Sequence, residues 1–339
     1  MDQKRTHSRT TKFLSMAAKP LVIILLLLST FGCNQPFDPK GPVDQQMVVF
    51  AVFSTDRDVQ YVTVDMSYMP SGFDPLTYTS DNALNDVFVT LKDSRNMYQL
   101  RDTALARLDT SRYKSPLRLY ALYPFTVRQG QTYQLVVQSR SMGVASATVV
   151  VPGKALLDST YSARYILIEP FSHFPEEKIR FPSRLSSSAK GYLARLTITY
   201  DVLKGTEWVQ ESVELPIATA DTAAYSLEHP IYPQIAPNLS AGVLDVTYRN
   251  GFLINTIKNL ILAKYADNRM VFKWIVFTLI QLDQNLFNYY SVVHDYRDPR
   301  TVRLDRPMYS EINGGIGFVG ACTVDSLVFL LPTNFSGNR

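Results

Sequence analysis

Four stretches carry residue types that could do chemistry. "GGIGFVG" holds a G-x-G-x-x-G spacing at Gly315, Gly317 and Gly320. Such a loop cradles a dinucleotide only between a strand and a helix, with a crossover, a second strand and an acid beyond it. Only 19 residues follow Gly320, and "CTVDSLVFLLP" reads as strand. The glycines are therefore expected at a sharp backbone turn where side chains do not fit. Ser187-Ser188-Ala189-Lys190 matches the S-x-x-K of acyl-serine hydrolases, but neither S-D-N nor K-T-G accompanies it. His294, Asp295 and Asp298 in "HDYRD" could ligate a metal. They fall at or past the end of an expected helix, where charged residues are ordinary, and no H-E-x-x-H, cysteine pair or EF-hand loop occurs. The fourth stretch is "STFGC", which ends in a lone cysteine, Cys33.

The remaining reactive residues are sparse. His173 and His229 lie in proline-containing loops with no nucleophile beside them. Cys322 sits in the apolar run "GFVGACTVDSLVF" and reads as a buried structural thiol. Tyrosines could stack on sugars or peptides wherever they are exposed. No catalytic residue, cofactor or metal site is expected. The chain reads as a non-enzyme, with an unrecognised hydrolase as the remaining enzymatic reading.

Cys33 draws its meaning from what precedes it. Lys4, Arg5, Arg9, Lys12 and Lys19 form a basic region before the apolar run Leu21 to Leu28. Spanning a bilayer as a helix takes about 20 apolar residues, so this run is too short. Pro36, Pro39 and Pro42 bar any helical continuation. The order basic, apolar, small residue, cysteine is that of a secretory signal. "STFGC" resembles a bacterial lipoprotein box, although Thr30 and Phe31 depart from its preferred residues. Residues 1–32 then form the signal peptide, cleavage follows Gly32, and Cys33 carries acyl chains, palmitate among them. Several such chains, at about 0.8 kcal/mol per buried methylene, give stable anchoring.

Cleavage also changes the charge. The chain has 34 basic and 30 acidic side chains; without residues 1–32 both counts fall to 29. The basic balance belongs to the leader, so it does not indicate a nucleic-acid partner. With Cys33 acylated, Cys322 has no disulfide partner.

The 307 residues that remain exceed a typical single domain. Residues 33–45 read as a lipidated tether and 46–152 as a β-sandwich domain. "MVVFAVF" is expected to be a strand buried on both faces, while "YVTVDM" and "VFVTLKD" alternate with period two. In "FTVRQGQTYQLVVQ", Gly130 supplies a turn, and Tyr133, Leu135 and Val137 share a strand face. This spacing resembles the tyrosine corner of immunoglobulin-like sandwiches. Pro152-Gly153 reads as a boundary, and 153–332 as a second β-rich domain with a tail at 333–339. It opens with "YILIEP". A hairpin follows, turning at Lys204-Gly205, and Asn250-Gly251 reads as another turn. "NTIKNLILAKY" fits either a helix or a strand, and "RMVFKWIVFTLIQLD" is a long buried strand. Asp283 is expected to cap a helix lined by Leu286, Tyr290 and Val293.

From residue 33 to 332 the chain resembles a family of uncharacterised outer-membrane lipoproteins, a domain of unknown function in Bacteroidetes-type bacteria. The pieces that carry the resemblance are Cys33, "MVVFAVFS", "NDVFVTLKD", "GQTYQLVV", "ASATVVVPG", "LDQNLFNYY" and "YSEINGGIGFVGA". The resemblance implies a mainly β cell-envelope protein whose first domain is an immunoglobulin- or transthyretin-like sandwich. It also implies genes beside TonB-dependent receptors. The expected function is a binding or accessory subunit of an outer-membrane uptake system. It would be held to the outer membrane by lipid, on its periplasmic or cell-surface face, with a TonB-dependent receptor as partner. A structural or adhesive envelope lipoprotein is the alternative.

Overall fold

A computed structural model describes residues 44–68, 78–166, 174–239, 242–295 and 310–331, with backbone only for 163–166 and 292–295. Cys33, Gly32 and the tether through residue 43 lie outside the described residues. So do His173, Asp298 and all of "YILIEP" beyond Ile166.

The first half builds β1 (Met47–Ser54), β2 (Gln60–Met66), β3 (Val87–Lys92), β4 (Met97–Gln99), β5 (Arg101–Leu105), β6 (Leu117–Leu122), β7 (Thr132–Ser139) and β8 (Gly143–Val150). Then come β9 (Leu156–Leu157), α1 (Ser159–Ile166), β10 (Lys178–Arg184), β11 (Gly191–Lys204) and β12 (Glu207–Glu214). The short strands β13 (Ala218–Thr219), β14 (Pro230–Ile231) and β15 (Ala236–Pro237) lead to β16 (Val243–Arg249). Helix α2 (Asn250–Asn255) widens into a π-helical stretch (Thr256–Leu262) before β17 (Met270–Leu282), α3 (Gln284–Asp295) and β18 (Ile316–Leu330). The protein is mainly β.

One large sheet runs β12-β11-β17-β18-β1-β2-β6-β5, with β15 attached to β11. Facing it are the sheets β4-β3-β7-β8 and β16-β10-β9. Two cores result. The first gathers Val49, Phe53, Val62, Leu91, Tyr133, Leu135 and Val149. The second gathers Phe181, Leu196, Ile198, Tyr248, Phe272 and Phe277. There Phe181 and Phe277 stack at 4.1 Å. Each fully buried side chain of this size is worth about 1.5–3 kcal/mol.

The boundary expected at Pro152-Gly153 falls between the two cores but does not divide the sheet. Strand β18 pairs in parallel with β1, from Val48↔Ile316 to Ser54↔Cys322, and antiparallel with β17. Residues Gln45–Arg339 form one compact unit. The junction itself is strapped by buried polar side chains. Thr323 Oγ1 donates to Pro152 O at 2.6 Å, Gln281 Nε2 to Gly153 O at 2.9 Å, and Ala155 N–H to Asp325 Oδ2 at 2.9 Å.

Several local expectations need correction. β1 is not buried on both faces: Met47, Val49, Ala51 and Phe53 point into the core, while Phe50 and Val52 are exposed. The hairpin pairs Lys204 with Glu207, so its turn is Gly205-Thr206, with Gly205 at φ 64°. Asn250-Gly251 opens α2 instead of a turn, because both residues are buried there. Gly251 lies against the Tyr225 ring, where a Cβ would come within 2.6 Å.

Other expectations hold. Tyr133 is buried, and its phenolic oxygen accepts the Arg128 N–H at 3.0 Å, tying β7 to the preceding corner. Asp283 caps α3, accepting the Leu286 N–H at 2.8 Å. The helix packs Leu286, Phe287, Tyr289 and Tyr290 onto Phe318 and Cys322, on the sheet face opposite the two cores, and the Val293 side chain lies outside the described residues.

Candidate binding site

Where β2 ends, the large sheet meets two loops, and they enclose a cavity of about 410 Å³. Val48, Asp65, Met66 and Leu117 come from the sheet, Tyr68, Asp81 and Asn82 from the segments around it, and Arg107 and Tyr113 from the β5–β6 loop. Backbone pairing sets the frame: Met66 N–H donates to Asn82 O at 2.9 Å, and Leu84 N–H to Val64 O at 3.1 Å.

Aromatic and guanidinium groups brace the walls. The Tyr68 and Tyr78 rings stack at 4.0 Å. Arg112 ties them together, donating from Nε to Tyr78 O at 2.9 Å and from its terminal nitrogen to the Tyr68 hydroxyl at 3.0 Å. Arg107 and Arg112 each lie 4.9 Å from the Tyr113 ring centre. Cation–π contacts of this kind hold a loop without closing it. Asp81 is saturated, accepting from Ala83 N–H and Ser115 Oγ and standing 3.7 Å from Arg107.

Asp65 differs. It faces the cavity and makes no side-chain hydrogen bond among the described residues. Burial, and then the like charge of Asp81, push its carboxyl above the usual range, while Arg107 pulls the other way. An acid in this setting can donate a hydrogen bond when protonated or receive a cation when ionised. With Asn82 and the cavity serines beside it, the arrangement suits holding a polar ligand. Its described lining contains no histidine, cysteine or lysine.

The residues singled out from the sequence scatter. Gly315 just precedes β18, and Gly317 and Gly320 lie within it, paired with Val49 and Val52, so the three form neither a nucleotide loop nor a single turn. Gly317 has φ 116°, and a Cβ there would meet Val49 O at 2.2 Å. Ser187 and Lys190 line a shallow surface hollow before β11. His294 and Asp295 close α3. Cys322 is buried and free. Burial pushes its thiol up, and it donates to Ser54 Oγ at 3.2 Å.

Sequence reasoning missed two features. One is the cavity, whose parts are spread over some seventy positions of the chain. The other is His229, whose Nδ1 lies 2.8 Å from Asp221 Oδ1, with Glu228 close by. The β13–β14 pairing creates that contact, and Thr219↔Pro230 is its register. Hydrogen bonds from Ser226 and His229 hold Asp221 below the usual carboxylate range.

A family model described as a domain of unknown function, DUF4249, matches residues 34–327. The chain belongs to this family. No curated protein matches the DUF4249 chain. Among solved structures, one similar chain is the C-terminal globular domain of an oligosaccharyltransferase from Pyrococcus abyssi, at 8% identity. That match covers 85% of the DUF4249 chain and 47% of the other, with a TM-score of 0.19. The chain thus spans about half the length of that structure, and so loose a superposition bears on neither fold nor function. Among the described residues no helix is long and apolar enough to cross a membrane.

Proposed function

We propose that this DUF4249 protein is a lipid-anchored binding or accessory subunit of a TonB-dependent uptake system at the bacterial outer membrane. The observation that carries the reading is Cys33. It stands directly after Gly32, at the end of a basic-then-apolar leader, and a proline-broken tether follows it before the fold begins at Met47. The cavity around Asp65 and Tyr68 supports a binding role, because the Asp65 carboxyl faces it with no side-chain hydrogen bond among the described residues while its neighbours are held in place by their own partners.

The test is fractionation of cells producing the full chain and its Cys33→Ser variant. The parent chain should stay with membranes in high salt, and the variant should leave them. A variant that remains bound refutes anchoring through Cys33. Extraction in mild detergent followed by pull-down then tests the partner: recovery without any outer-membrane barrel protein overturns the uptake reading.

A further inference from the structure

Strands β13 and β14 are short, and the loop of residues 220–229 joins them. Ala220 N–H donates to His229 O at 3.0 Å, which sets the two ends of the loop side by side. Three side chains able to ligate a metal meet there. Asp221 lies just past β13, and Glu228 and His229 lie just before β14. One ligand atom from each falls within 4.8 Å of the other two. Zinc–ligand bonds of about 2.0–2.2 Å place neighbouring ligands about 3.3–3.6 Å apart in a tetrahedron. The spacing in the loop is close to the one an ion requires.

The Asp221–His229 hydrogen bond does not account for all three groups. Glu228 brings a second carboxylate to the same point, and that carboxylate accepts no hydrogen bond and joins no ion pair among the described residues. Carboxylates this close repel one another unless a cation or a proton stands between them. No lysine or arginine occurs in the sequence between Lys204 and Arg249, and none pairs with Asp221 or Glu228 among the described residues. A protonated His229 would balance only one of the two charges.

The loop is also held from outside. Tyr225 takes a left-handed φ of 58°, and its ring centre lies 5.2 Å from that of Phe252. Its carbonyl oxygen accepts from Asn255 Nδ2 at 2.8 Å, so the loop rests on α2. The Ser226 hydroxyl hydrogen-bonds the Asp221 carboxylate. Contacts of this kind orient a ligand before an ion arrives.

We propose that Asp221, Glu228 and His229 bind a divalent transition-metal ion of the zinc class. His229 would give its Nδ1 lone pair to the ion and carry its proton on Nε2. An imidazole nitrogen beside carboxylates selects such an ion over calcium or magnesium, which take oxygen ligands. Three protein ligands leave a fourth position, on the solvent side of two exposed residues, for water or a partner's donor atom. The bound ion would tie the residue after β13 to those before β14. The proposal goes beyond the anchoring reading and stands apart from the Asp65 cavity.

The experiment titrates Zn²⁺ into the full chain in detergent, made without a histidine tag and stripped with chelator, and follows binding by calorimetry. Parent, His229→Ala, Glu228→Gln and His294→Ala are compared. The His229 side chain is 70% exposed and Glu228 is exposed, so both substitutions should leave the fold intact, which far-ultraviolet circular dichroism checks. The parent should bind zinc saturably. His229→Ala should lose one equivalent, Glu228→Gln should bind that equivalent at least about tenfold more weakly, and His294→Ala should keep it. Unchanged stoichiometry and affinity in His229→Ala overturns the proposal. So does an absence of saturable binding by the parent up to about 1 mM. Loss in His229→Ala with Glu228→Gln unaffected would reduce the site to a histidine–aspartate pair and overturn the three-ligand assignment. Displacement of that zinc by an equal concentration of Ca²⁺ would overturn the class of ion.

Discussion

Asp283 offers a measurement that isolates one buried charge. It is 3% exposed at the junction of β17 and α3, and its own N–H donates to Ala321 O at 3.0 Å. Burial raises its pKa from 3.8 to about 6, although the Leu286 N–H works against the shift. A carboxyl whose folded pKa lies above its unfolded value binds its proton more tightly in the folded state. Folding is therefore least penalised below about pH 4, and stability falls as pH rises through about 6. Two units of pKa correspond to about 3 kcal/mol of penalty at neutral pH. Asp283→Asn keeps an oxygen acceptor for the Leu286 N–H and carries no charge. Its amide hydrogens introduce a cost of their own, but that cost does not titrate. Urea unfolding of parent and variant across this range separates the two effects, since every other titrating group cancels in the difference. The variant's stability relative to the parent should rise by about 3 kcal/mol between about pH 4 and pH 7. A difference flat to within about 0.5 kcal/mol, or one that falls with rising pH, would refute the account of Asp283 as a desolvated acid.

Four further outcomes can be checked directly. Tyr133→Phe leaves the Arg128 N–H without its acceptor and should cost about 1–2 kcal/mol in urea unfolding, with the fold kept. Gly317→Ala drives a methyl group into Val49 O on the paired strand at a backbone angle side chains rarely adopt. It should cost more than about 3 kcal/mol and show as lost soluble yield or a large drop in Tm. Glu211 accepts hydrogen bonds from Tyr200, Tyr265 and Lys204, which hold its pKa at about 2. Its depressed value means stability present above about pH 4.5 and lost as pH falls toward 2, so Glu211→Gln should flatten that acid limb of the unfolding curve. Because the β1–β18 pairing joins the two cores, tryptophan fluorescence and far-ultraviolet circular dichroism should report one coincident unfolding transition. The fluorescence reports only Trp208 on β12 and Trp274 on β17, so separated midpoints would show that the halves unfold independently.

Legibility from sequence followed the range of the interactions. The β11–β12 hairpin was readable because Leu196, Ile198, Tyr200 and Val202 alternate and Gly205 permits a left-handed turn. The Asp283 cap was readable because capping acts over three residues. Asn250-Gly251 misled because a turn signal is local, whereas the burial that makes it helical comes from Tyr225 and the segment before β10. Exposure of Phe50 and Val52 was hidden for a related reason. An apolar run looks the same whether one face or both are covered, and only the positions of the other elements decide. The cavity drew on Val48, Asp65, Asp81, Arg107 and Tyr113, which no spacing rule connects.

Strand β18 shows what lies at the Pro152-Gly153 junction. On one face, Val319 and Ala321 belong to the first core, and Leu327, Phe329 and Leu331 pack in the second. Between them on the same face stand Thr323 and Asp325, the side chains that bind the Pro152–Ala155 junction. The polar pair in "ACTVDSLVF" therefore marks the seam between two hydrophobic interiors, where backbone groups of the crossing chain need partners. The periodicity lapse after Val151 records the same seam from the other strand. A sequence can display a seam as a break in pattern, but it cannot show that one continuous strand crosses it. That crossing makes a single unit of the two halves. It also carries β18 past the end of β1, where Ser326, Val328 and Leu330 have no backbone partner on that side among the described residues.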